Sequence, residues 1–135
     1  MTQLMNNIAA QCLNADRPQA QVNLGNLYTR MGRVQEAEAV YRQALVLDQR
    51  FVPAYMNLAD LYRLTGREAE AQKTLQQGLA AVPTAAGLHH AQGLALVRGK
   101  NLDPAVEVLA RAVQLDPDNA RYAYVYVVAL DGTTG

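Results

Sequence analysis

The chain has 135 residues, half of them hydrophobic, with 12 basic and 12 acidic side chains and a formal net charge of zero. That balance excludes a global field suited to nucleic acid or to an anionic membrane surface. A single cysteine, Cys12, excludes an internal disulfide and any multi-cysteine metal site. No stretch approaches the ~20 consecutive apolar residues of a membrane-spanning helix, and the first residues lack the basic start and long apolar run of a signal peptide.

In chain order, residues 1–17 place Ala10 and Leu13 34 positions ahead of Ala44 and Leu47. The segment reads as the second helix of a truncated repeat. Residues 18–51 hold two helical patterns. Val22, Leu24, Leu27, Tyr28 and Met31 recur at helical spacing over 19–31. Val34, Ala37, Val40, Tyr41, Ala44 and Leu47 do so over 34–47. Residues 52–85 and 86–119 repeat the plan without insertion. Gly25, Ala59 and Gly93 keep a step of 34, as do Ala37, Ala71 and Ala105, and Ala44, Gly78 and Ala112. Small residues at these phases let paired helices approach closely. Gly32, Gly66 and Gly99 read as left-handed helix stops. Asp103-Pro104 reads as an N-cap followed by proline at the first helical position. Pro83 and Pro117 close the second helices of their units. Residues 120–135 read as the first helix of a further, truncated repeat. Its core, 120–130, is apolar all round, as a buried helix would be.

A period of this size marks a solenoid of stacked helix pairs, which presents a surface rather than a catalytic cavity. Leu24, Gly25, Tyr28, Ala37, Tyr41 and Ala44 carry a pattern that resembles the tetratricopeptide repeat family, three times in tandem. The aromatic that opens a unit in that family is kept only by Tyr55, with Gln21 and His89 at the matching positions. The resemblance implies an all-α fold: a right-handed superhelix of antiparallel helix pairs, three full repeats with a half-repeat at each end, as one domain. A second similarity, carried by the runs at 8–18, 50–62 and 118–126, is to the repeat region of some bacterial multihaem cytochromes. It would imply a periplasmic parent protein, and otherwise the compartment stays open. No C-x-x-C-H haem attachment motif is present, so no haem chemistry is implied.

No nucleophile constellation, phosphate loop or nucleophile elbow is visible, so an enzyme is not expected. His89 and His90 are neighbours and point about 100° apart on a helix, so neither a metal nor another cofactor is expected. Glu36, Glu38, Glu68, Glu70 and Asp103 sit at the starts of second helices, where the helix dipole favours anions.

The family resemblance implies a concave face lined by the first helix of each unit, and a protein or peptide as the partner. Carried over, that face holds Val22, Asn26, Thr29 and Arg30, then Met56, Asn57, Asp60, Arg63 and Leu64. His90, Leu94, Val97 and Arg98 follow, and then Arg121, Tyr124 and Val128. Asn26, Arg30, Asn57, Asp60, Arg63, His90 and Arg98 are the expected binding residues. Asn26 and Asn57 match asparagines that hold a peptide backbone in chaperone-binding members. Val22, Gly87 and Ala91 stand where those members carry basic residues, so the chaperone-type carboxylate clamp is absent. The alternative to a peptide scaffold is structural: self-assembly through the terminal half-repeats. A homodimer is then expected through Tyr122, Tyr126 and Leu130, or a head-to-tail contact between helix 120–130 and helix 3–14.

Overall fold

A computed structural model describes residues 17–134 of the chain. The half-repeat expected at 1–17, with helix 3–14 and Cys12, lies almost wholly outside the described residues. Among those residues are seven α-helices, α1 (Pro18–Arg30), α2 (Val34–Leu47), α3 (Val52–Leu64), α4 (Glu68–Ala81), α5 (Ala86–Arg98), α6 (Leu102–Leu115) and α7 (Ala120–Thr134). The chain divides into two compact units at Arg67 and Glu68.

The first unit contains α1, α2 and α3. Proline opens α1, where a missing N–H leaves no helical bond unmade. The helix buries Val22 and Gly25. Ala37, Tyr41 and Ala44 form the buried stripe of α2, at spacings of four and three that hold one helical face. Six residues of α3 are buried, among them Leu58, Ala59 and Tyr62.

Two of the turns close on glycine, Gly32 and Gly66, both at φ +77°. The N–H of the following residue then reaches back to the carbonyl of Tyr28 or Tyr62, at 2.9 and 2.7 Å. This six-residue closure satisfies a carbonyl that the ending helix leaves unpaired. The third turn differs from its sequence reading. Gly99 has φ −81°, and Lys100 takes the left-handed position at φ 62°. Asn101 donates to the carbonyl of Leu96 at 2.9 Å, so the closure itself is conserved. The 34-residue register explains the shift, because it maps Gly32 and Gly66 onto Lys100 rather than Gly99.

The second unit contains α4, α5, α6 and α7. Ala71, Thr74, Leu75 and Gly78 form the buried stripe of α4, with the Thr74 hydroxyl donating to the Glu70 carbonyl at 2.8 Å. Leu88, Gly93 and Ala95 of α5 and Ala105, Leu109 and Ala112 of α6 are buried. The expected N-cap at Asp103 is corrected. Asn101 occupies that position, without a side-chain cap bond, and Asp103 lies in the first turn of α6. A carboxylate there still meets the positive end of the helix dipole. The last helix runs to Thr134, four residues beyond its expected end at 130.

His89 repeats a contact made in the other unit. The Tyr55 hydroxyl donates to the Gln49 carbonyl at 2.7 Å. His89 stands 34 residues on, and its Nε2 lies 2.8 Å from the carbonyl of Pro83, itself 34 beyond Gln49. The imidazole therefore takes over the linker anchor that the phenol supplies at the earlier position.

Candidate binding face of the first unit

The polar face of the first unit is built on the contact between Gly25 and Tyr41. Glycine leaves room for the Tyr41 ring against the α1 backbone. The phenol tip then emerges among polar side chains. Its hydroxyl donates to Asn26 Oδ1 at 2.6 Å and lies 3.3 Å from Thr29 Oγ1. Thr29 in turn bonds the Gly25 carbonyl at 2.8 Å. Burial raises the pKa of the Tyr41 phenol, the hydrogen bond to Thr29 opposes it, and the fields of Asp60 and Arg30 act on it in opposite senses. The phenol stays neutral as a donor, and charges from both α1 and α3 reach it.

The two asparagines, Asn26 on α1 and Asn57 on α3, use opposite ends of their amides among the described residues. Asn26 accepts with its carbonyl oxygen, leaving its amide N–H groups to donate. Asn57 donates its amide to the Pro53 carbonyl at 2.9 Å, leaving its oxygen to accept. A peptide backbone needs one of each. Arg30 is exposed and makes no ion pair among the described residues. Arg63 lies 3.7 Å from Asp60, one turn away on α3, and both are exposed enough for water to screen the pair.

A different side of the first unit holds a structural charge network. Glu38 accepts from the Tyr62 hydroxyl at 2.8 Å, from Arg42 at 3.0 Å and from Arg67 at 3.0 Å. The Arg67 guanidinium also stacks 4.5 Å from the centre of the Tyr62 ring. Burial raises the Glu38 pKa, but the hydrogen bonds from Tyr62, Arg67 and Arg42 together outweigh it and hold the carboxyl below its ordinary value. These contacts tie α2 to α3 and to the turn after it.

In the second unit two expected binding residues are placed differently. His90 is only 5% exposed. Its ring stacks on that of Tyr122 with centroids 4.3 Å apart, and neither ring nitrogen has a hydrogen-bond partner. A group so enclosed presents nothing to a ligand, so the expectation that His90 contacts a partner is corrected. The cause is the α5–α7 contact, which no repeat spacing announces. Arg98 is exposed but lies 3.3 Å from Glu68 of α4. Val22, expected on the same kind of face, is 2% exposed and belongs to the core.

The residues expected to mediate self-association are also rearranged. Tyr122 and Tyr126 are half-buried, while Leu130 is 39% exposed. Tyr124, Val127 and Val128 are the widely exposed apolar residues of α7. They follow one another by three and one, on the helix face opposite Ala129. The sequence contained this stripe, but in a helix apolar all round it had no contrast to stand out against.

Among the described residues, no group of three or more potential metal ligands is found. No helix there is long and apolar enough to cross a membrane.

The tetratricopeptide repeat family models match residues 16–84 and 56–120. A comparison with curated proteins finds no match. Solved structures show the same fold. The first TPR of Spaghetti (RPAP3), bound to the HSP90 peptide SRMEEVD, superposes with a TM-score of 0.74 at 18% identity, covering 90% of this chain and 96% of that one. YrrB, described as a TPR protein with an unusual peptide-binding site, gives 0.70 at 24% identity, covering 93% of this chain and 65% of its own. A Thermobaculum terrenum O-GlcNAc transferase gives 0.69 at 25% identity over 84% of this chain, which spans 22% of that enzyme. The similarity to the repeat region of multihaem cytochromes is not borne out by these matches.

Proposed function

The chain belongs to the tetratricopeptide repeat family, and on that premise we propose that it is a non-catalytic protein–protein interaction module whose first unit binds an extended, acidic peptide segment. One observation carries the reading. Asn26 and Asn57 expose opposite hydrogen-bonding groups on α1 and α3, beside two arginines of which Arg30 has no ion-pair partner among the described residues. The Asn26 amide would donate to a peptide carbonyl, and Asn57 Oδ1 would accept a peptide N–H. Arg30 and Arg63 would take carboxylate side chains, for which a guanidinium fork is suited. Asp60 would orient Arg63 and repel a peptide carboxylate placed beside Asp60 itself, which limits where the acidic side chains can sit. The peptide named for the RPAP3 relative contains two consecutive glutamates and an aspartate, which is consistent with an acidic ligand class.

The test is selection of random peptides displayed on phage against the whole chain. Enrichment of Asp- or Glu-containing sequences is expected. Their binding should fall by about 1–3 kcal/mol in Asn57→Ala, which leaves a peptide group unpaired. Arg30→Glu with Arg63→Glu should reverse the charge preference. Peptides that bind wild type and the double charge variant equally would rule this face out.

A further inference from the structure

One face of α1 stands open. Leu24, Leu27 and Met31 are 38%, 44% and 54% exposed there. The position of Leu27 is buried in each later first helix: Leu61, Ala95 and Ala129 are 2%, 3% and 5% exposed. Leu58, which matches Leu24, is 4% exposed. Each of those later helices follows a second helix that packs against it, α2 on α3, α4 on α5 and α6 on α7. Leu102 of α6 lies against Gly132, one turn beyond Ala129, so that side of α7 faces the helix before it. Among the described residues α1 has no such neighbour ahead of it.

The 34-residue register names the segment that fits. Residues 3–14 align with 37–48. In α2, Glu38 and Arg42 meet the Tyr62 hydroxyl of α3. Their counterparts are Leu4 and Ile8, and the counterpart of Tyr62 is Tyr28. A polar contact on α3 is thus matched by an apolar pair at the open face of α1. The arginines follow the same change. Arg67 pairs with Glu38, whereas its counterpart Arg33 pairs with Glu36 of the helix that it precedes. The other side of the segment is polar. Tyr41 turns towards α1 at Gly25. Its counterpart is Asn7, and one turn earlier Gln3 replaces Ala37. As a helix, 3–14 is apolar towards α1 and polar away from it, which is the division a solenoid cap requires.

We propose that residues 3–14 dock as a helix on the Leu24, Leu27 and Met31 face of α1, in the register of α2 on α3, with Leu4 and Ile8 beside Tyr28. Burial of these apolar side chains stabilises the contact. The docking belongs to the first unit and does not rest on the peptide-binding reading. Met5 and Cys12 match Ala39 and Val46, both exposed on α2, so they point away from the contact.

Amide hydrogen exchange of the whole chain tests this. Amides 6–13 should exchange about tenfold or more slowly than in Ile8→Asp, and Leu27→Asp should remove the same protection from the other side. Slow exchange retained in α2 and α3 of each variant separates undocking from unfolding. A nitroxide on the cysteine of Met5→Cys, with Cys12→Ser, reads the register. It should broaden the amides of Thr29–Gly32, at the far end of α1, and Ile8→Asp should abolish the broadening. Rapid exchange throughout 6–13 overturns the proposal. So does protection indifferent to Ile8→Asp, or broadening confined to the start of α1. Mixing spin-labelled chains with isotope-labelled, spin-free ones completes the test. Broadening that passes between copies would put a second copy's segment on this face, and overturns docking within the chain.

Discussion

Tyr41 fills the space that a side chain on Gly25 would need: a Cβ there would stand 2.4 Å from the Tyr41 ring. In the second unit a Cβ on Gly93 would stand 2.5 Å from Leu109. Gly93 is 68 residues after Gly25, and Leu109 is 68 after Tyr41. The same contact is therefore built twice, once with a phenol and once with an aliphatic side chain. The phenol brings a hydroxyl to the surface, and only the first unit acquires the polar cluster with Asn26 and Thr29.

Replacing Gly25 with alanine should cost about 1–3 kcal/mol through overpacking, partly offset by alanine's better helix propensity, about 1 kcal/mol. The Tyr41 ring is held at its tip by Asn26 and has little freedom to move away. Gly93→Ala should also destabilise. Adding Tyr41→Leu to Gly25→Ala should recover part of the loss. Urea unfolding of the two single variants and the double checks this, and additive losses would contradict the contact.

Lys100 offers a gain. A non-glycine residue in the left-handed region carries a steric cost of roughly 1–2 kcal/mol. Lys100→Gly should raise stability by about 1 kcal/mol, since it installs the residue that the other two turns use. A thermal melt with no upward shift would show that the Lys100 side chain contributes contacts that offset its backbone strain.

Acid should weaken the first unit through Glu38. Its carboxyl titrates below the ordinary value of 4.5 in the folded state. The unfolded chain then binds the proton more readily, so this contribution is complete above pH about 4.5 and is lost as pH falls through the lower folded value. Glu38→Gln should flatten that part of the stability–pH curve and cost about 1–2 kcal/mol at neutral pH. Denaturant midpoints between about pH 7 and pH 3 measure it.

His90 should act in the same direction at higher pH. Burial lowers its pKa from the ordinary 6.5, and the positive charge of Arg121 adds to the effect. The folded ring stays neutral where the unfolded one is protonated. Stability is therefore complete above pH about 6.5 and falls as pH drops towards the folded value, then levels off. His90→Phe keeps a ring against Tyr122 and should remove this slope. A slope that survives the substitution would place the titration elsewhere.

Much of the fold was legible because the repeat is a packing rule written at fixed spacing. Gly25, Ala37, Tyr41 and Ala44 announce a close helix pair, and the helix at 34–47 falls where its periodicity places it. The turn at Lys100 follows from the same register once it is counted at 34 rather than read from the nearest glycine. Asn26, Arg30, Asn57, Asp60 and Arg63 could be named as a set only because the family resemblance carries its concave-face positions onto α1 and α3. Which atoms remain available could not. The Tyr41 hydroxyl takes the Asn26 oxygen and the Pro53 carbonyl takes the Asn57 amide, and both are facts of side-chain conformation.

The sequence by itself determined the all-α repeat and its register, because these depend on local spacing and residue type. Only the tertiary structure decided which sides of α5 and α7 face inward. In α7 apolar residues surround the whole helix, so no amphipathic contrast selects a face. The stacking of Tyr122 on His90 makes the choice, turning a supposed ligand contact into core and leaving Tyr124, Val127 and Val128 to the solvent.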